Sequence, residues 1–194
     1  RNYYTLLEVG FGSVSGYTSG GDVPSPTVFS NTIDKFSFSS NANATDVGDL
    51  TQARSTAAGQ SSNASGYTSG GEPGTLNTID KFPFSSDGNA TDVGNLTQAR
   101  AHTAGQSSDA SGYTSGGELN INVIDKFSFS SDGNATDVGD LTQGRSYHTG
   151  QSTNASGYTS GGYEPGGNSN VIDKFPFSSD ANATDVGDLA QARW

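Results

Sequence analysis

The feature that most constrains this chain is that it repeats the same phrases four times. Gly-Tyr-Thr-Ser-Gly-Gly begins at Gly16, Gly66, Gly112 and Gly157, Ile-Asp-Lys-Phe at Ile33, Ile79, Ile124 and Ile172, and Ala-Thr-Asp-Val-Gly at Ala44, Ala90, Ala135 and Ala183. Arg54, Arg100, Arg145 and Arg193 close the units, which therefore run over about 1–54, 55–100, 101–145 and 146–194. A period of about 45 residues belongs to repeat architectures in which one supersecondary unit recurs and neighbours bury each other's faces. We read the 194 residues as one domain built of these four units.

Composition narrows the function classes. Only 30% of the residues are hydrophobic, yet Phe, Val, Ile and Leu recur at fixed places, which argues for a packed repeat rather than disorder. The net charge of -11 repels phosphate backbones and argues against a nucleic-acid partner. There is no cysteine, so disulfides, thiol catalysis and thiolate metal sites are excluded. No apolar run reaches membrane-spanning length, and membrane insertion is not expected.

One unit reads as four short strands. In the second, Thr56 to Ser62 is small and polar, Ser65 to Gly70 centres on a tyrosine, Asn77 to Ser85 is branched and aromatic, and Ala90 to Thr97 is anchored by Val93 and Leu96. In the third strand, period-2 alternation puts Asp80, Phe82 and Phe84 on the apolar side and Ile79, Lys81, Pro83 and Ser85 on the other. Pro83 and Pro176 suggest a backbone position without a ladder donor. The Gly70-Gly71 pair can take positive φ and end the second strand, and Asp87-Gly88 and Asp132-Gly133 are tight-turn signals. No segment has sustained helical periodicity. Four strands in about 45 residues match a propeller blade, which makes the expected fold an all-β propeller of four blades, four antiparallel strands each.

The double glycine after strand two, the Ile-Asp-Lys-Phe strand and the Val-x-x-Leu-x-x-x-Arg pattern make the unit resemble the kelch repeat of galactose-oxidase-type propellers. The resemblance covers nearly the whole chain from Gly16. It departs where the family usually places tryptophan and this chain has Ala44, Ala90, Ala135 and Ala183, which implies smaller packing between blades. The copper chemistry of galactose oxidase needs a cysteine cross-linked to tyrosine, so that activity does not carry over. The wording from Ile-Asp-Lys-Phe to Gln-Ala-Arg also resembles repeat proteins of marine bacteriophages and cyanophages, which implies a virion or extracellular location.

No enzyme motif survives inspection, and a non-enzymatic protein is expected. His102 and His148 follow unit-closing arginines at offsets that differ by one, and a metal or acid–base role would need convergent partners. No metal ligand set and no cofactor are expected. Ca²⁺ is the one candidate, from the recurring spacing of Asp87, Asn89 and Asp92, although the same residues make turns unaided. Asn43, Asn89, Asn134 and Asn182 each head an Asn-Ala-Thr glycosylation pattern. Tyr3 to Phe11 is far more apolar than its counterparts. It reads either as a buried inner strand or as an edge that docks on another subunit, so a homo-oligomer stays open.

Differences between units point to function. The links from strand one to two and from three to four are nearly constant. The links from two to three, and from four to the next unit, vary. In an up-and-down sheet alternate links lie on opposite faces, so the variable links share one. Loops on a rigid scaffold carry function, and the expected partner-binding residues are Glu72, His102, Glu118, Tyr147, His148, Tyr163 and Glu164. The resulting expectation is a binding or structural module that contacts a protein or glycan surface through this face. The alternatives are a fibre or appendage subunit linked through the N-terminal strand, and a carbohydrate-binding propeller.

Overall fold

The computed structural model describes residues 15–23 and 28–194, and among these the chain is all β-strand and turn, with no helix. The Tyr3 to Phe11 segment lies outside the described residues. Units two, three and four are each a four-stranded antiparallel sheet in sequence order. The second comprises Ala58–Ser61, Ser65–Ser69, Thr78–Pro83 and Thr91–Asn95. The third comprises Ala104–Ser107, Ser111–Ser115, Val123–Ser128 and Thr136–Asp140. The fourth comprises Thr149–Ser152, Ser156–Ser160, Val171–Pro176 and Thr184–Asp188. The first contributes Ser15–Ser19, Thr32–Ser37 and Thr45–Asp49 among the described residues. The longer links of units one and four fold into small hairpins, Asp22–Val23 with Val28–Phe29 and Tyr163–Glu164 with Gly167–Asn168. The all-β, four-strand expectation is met at this level, consistent with a propeller-like arrangement.

Each third strand pairs unevenly with the fourth. Ile79 pairs with Gly94 while Asp80 pairs with Asp92, so a bulge at Val93 interrupts the ladder, and the first, third and fourth units repeat it. The extra residue lies on the fourth strand, so the alternation of the third strand is itself unbroken. Ile79 faces unit three while Asp80, Phe82 and Phe84 face unit one, as the alternation predicts, and Ile79 and Asp80 are both fully buried because neighbouring units cover both faces of the sheet.

The cores lie between sheets, not within them. Tyr67, Ile79 and Leu96 of unit two pack on Phe127 and Ala135 of unit three, and the same set recurs at the junctions either side. The tyrosine of each unit stacks on the second phenylalanine of the next, with centroids 4.8 Å apart for Tyr17–Phe84, 4.9 Å for Tyr67–Phe129 and 4.7 Å for Tyr113–Phe177. The residue before each tyrosine is glycine for a steric reason. Gly66 pairs with Phe82 across the sheet, and a Cβ there would run into the phenylalanine ring. The inner strands run side by side, and a Cβ on Gly105 would meet the Gly59 carbonyl of the neighbouring unit.

Buried charge crosses every junction. Arg54 Nη2 lies 2.9 Å from Asp80, Arg100 Nη2 2.8 Å from Asp125, and Arg145 pairs with Asp173, all with fully buried side chains. Thr51, Thr97 and Thr142 donate backbone N–H and hydroxyl to the same carboxylates. Burial lowers the pKa of Arg54 and of Arg100, and the facing aspartates oppose it. Gln60 and Gln106 reach across the inner strands to the carbonyls of Tyr113 and Tyr158.

Candidate functional site

The two variable links do share one face. Ser55 bridges Glu72, Ser146 bridges Tyr163, and Glu118 donates its N–H to the Ala101 carbonyl, so each unit-to-unit link is stitched to a link between strands two and three. The floor of this face is a ladder of equivalent residues. His102 N–H donates to the Thr56 carbonyl at 2.9 Å, and Tyr147 N–H to the His102 carbonyl at 3.1 Å. All three hold positive φ, at 54°, 56° and 56°. A β-branched or bulky side chain is rarely tolerated in that region, and such strain concentrates where a side chain must be aimed.

The ladder places His102 at the centre of a polar cluster. Its Nε2 lies 3.0 Å from a Glu72 oxygen, 3.8 Å from a Glu118 oxygen and 3.2 Å from the Tyr147 hydroxyl. A carboxylate only accepts, which puts the ring proton on Nε2, donated to Glu72. The rings of His102 and Tyr147 lie 4.0 Å apart, and Tyr147 meets Trp194 at 5.5 Å. Beside them is a shallow cavity of about 470 Å³ lined by Thr56, His102, Thr103, Tyr147, His148 and Trp194, among others. The aromatic rings are well exposed, Tyr147 at 48% and Trp194 at 71%.

The convergent partners that His102 lacked in the linear sequence are thus supplied by Glu72, Glu118 and Tyr147. One imidazole and two carboxylates with ligand atoms within 4.8 Å of one another are a donor set able to hold a divalent ion of the zinc type. The same groups can bind neutral hydroxyls or an amine, with the rings offering an apolar platform. Tyr163 and Glu164 sit in the fourth unit's hairpin and are joined to the face by the Ser146–Tyr163 bridge.

His148 differs from its expected place. It aligns with Thr103, not with His102, and its ring is buried, donating from Nε2 to the Ser115 carbonyl at 3.1 Å. Burial, with the Arg145 charge nearby, pulls its pKa from 6.5 to about 4 and keeps it neutral. It supports the cavity from below rather than presenting itself to a partner. Trp194 and Thr56 were missed in the sequence. The signal for Trp194 was its position directly after a unit-closing arginine, where the other units carry Ser55, Ala101 and Ser146.

On the opposite face, the spacing read as a Ca²⁺ candidate makes three separate contacts. Asp87 accepts from Lys35 Nζ at 3.0 Å, Asn89 from the Asp49 N–H at 3.1 Å, and Asp92 from the Gly94 N–H at 3.0 Å. Asp87 and Asn89 tie unit two to unit one and Asp92 closes a local turn, so each oxygen is spent on a separate donor. Asn134 and Asn182 repeat the Asn89 contact, and all four Asn-Ala-Thr asparagines, Asn43 included, are exposed. No family model matches the chain, and no curated protein is significantly similar to it.

Proposed function

We propose that the chain is a non-enzymatic binding module, a kelch-like four-bladed propeller whose variable face contacts a protein or glycan surface in an extracellular or virion setting. The observation that supports this most is a cavity lined by His102, Tyr147 and Trp194, with Glu72 and Glu118 gathered at the His102 ring, on the face where the repeats differ. Exposed rings flanked by carboxylates suit a sugar, whose C–H face stacks on aromatics while its hydroxyls donate to acids. The kelch likeness rests on the sequence phrases and agrees with the four-stranded sheets.

The test is a glycan array probed with the wild-type chain, with Tyr147→Ala, and with Asp109→Ala on the constant face. Saturable binding that Tyr147→Ala reduces at least tenfold and Asp109→Ala leaves intact is the expected result. Equal loss in both variants, or none in either, would overturn the assignment of this face.

A further inference from the structure

The three junctions between units are copies of one interface with two unlike halves. The outgoing half supplies a tyrosine, a valine, a leucine and an arginine, as in Tyr17, Val47, Leu50 and Arg54. The incoming half supplies an aspartate, two phenylalanines and an alanine, as in Asp80, Phe82, Phe84 and Ala90. Among the described residues, one half of each kind is left without its opposite. On unit one the incoming half is open. Phe38 is 68% exposed, Ala44 is exposed where Ala90, Ala135 and Ala183 are buried, and Asp34 has no ion pair among the described residues. On unit four the outgoing half is open. Val186 is 52% exposed, Arg193 is exposed where its three counterparts are fully buried, and Lys174 finds no carboxylate among the described residues.

We infer that the outgoing face of unit four docks on the incoming face of unit one in a second copy of this chain. This contact is independent of the variable face. Its occupant follows from continuity with the three junctions already formed, because the surface that fits each open half is its own opposite. Tyr158 would stack on Phe38, and Arg193 would meet Asp34. The contact is heterologous, the same two unlike patches at every joint, so it builds closed rings or runs on as a filament. Two substitutions make it looser than the internal junctions. Asn41 stands where Asp87, Asp132 and Asp180 take a lysine, and Ala190 where Thr51, Thr97 and Thr142 bond the aspartate. The joint between copies therefore dissociates on dilution while the units within a chain stay together.

Light scattering coupled to size exclusion tests this with the full chain and two variants, Phe38→Asp and Val186→Asp. Both positions are exposed, and circular dichroism verifies that each variant folds. The wild type is expected as multiples of 19.9 kDa that increase with concentration, and each variant as a monomer. An equimolar mixture of the variants is expected to give dimers and nothing larger. One copy keeps its outgoing face and the other its incoming face, and the two aspartate-bearing faces repel. A wild type that stays monomeric at all concentrations would overturn the inference and mean that the faces are closed within one chain. Assembly that survives either substitution, or a mixture that stays monomeric, would also overturn it.

Discussion

Lowering the pH should destabilise this protein through a single histidine. His148 is buried and neutral, its Nε2–H spent on the Ser115 carbonyl and its Nδ1 without a partner. Its pKa is about 4 in the folded chain against 6.5 when exposed. The depressed value means that the unfolded chain takes up the proton first. The stability that depends on a neutral ring is complete above pH 6.5 and is lost as pH falls towards 4. At about 1.4 kcal/mol per unit, the full loss is about 3 kcal/mol, with about 2 kcal/mol gone by pH 5. Carboxylates titrate in the same range, so the informative quantity is a difference between proteins. His148→Thr places in unit four the residue that unit three has at Thr103. It forfeits about 1 kcal/mol at pH 8 with the hydrogen bond, but has no ring to protonate. Urea unfolding from pH 8 to pH 4.5 should show the wild type losing stability faster than the variant below pH 6.5, so that the two curves cross. Parallel curves across that range would refute the reasoning.

Two further outcomes test the junctions. Arg100→Met leaves Asp125 buried without its partner and should cost about 3–5 kcal/mol in urea unfolding, most of it recovered when Asp125→Leu is added. Arg193→Met, made in the Phe38→Asp background, should change stability by less than about 0.5 kcal/mol because that arginine is exposed. Gly66→Ala drives a methyl into the Phe82 ring and should lower stability by about 1–3 kcal/mol. Gly59→Ala meets nothing within 4 Å and should be neutral or stabilising by up to about 1 kcal/mol, read as a shift in Tm.

The strands were legible because their signals are local and repeated. Ser65 to Gly70 was read from a tyrosine and a glycine pair, and the strand is Ser65–Ser69. The burial of Ile79 was not legible. Alternation correctly set Ile79 opposite Asp80, Phe82 and Phe84, but nothing local says that a neighbouring unit covers that second face as well. Burial of Asp80 was equally hidden, since the charge that stabilises it belongs to Arg54, in the preceding unit. The variable face could be placed from strand parity alone. Its centre could not, because Glu72, His102, Glu118 and Tyr147 come from different links and meet only once the sheets are side by side. His148 was misplaced because its neighbour Tyr147, not His148 itself, occupies the exposed rung.

Splitting each ion pair between adjacent units has a bearing on how such a gene can change. Excising residues 55–100 removes Asp80 and Arg100 together and brings Arg54 opposite Asp125, the same arginine–aspartate joint with a new pair of owners. Unequal recombination between these near-identical phrases would therefore lengthen or shorten the array by whole units without requiring any compensating substitution. What such an event would redraw is the rim, where His102 and its neighbours are dealt differently to each unit. The variable face can thus be reshuffled while the joints that hold the protein together are inherited unchanged.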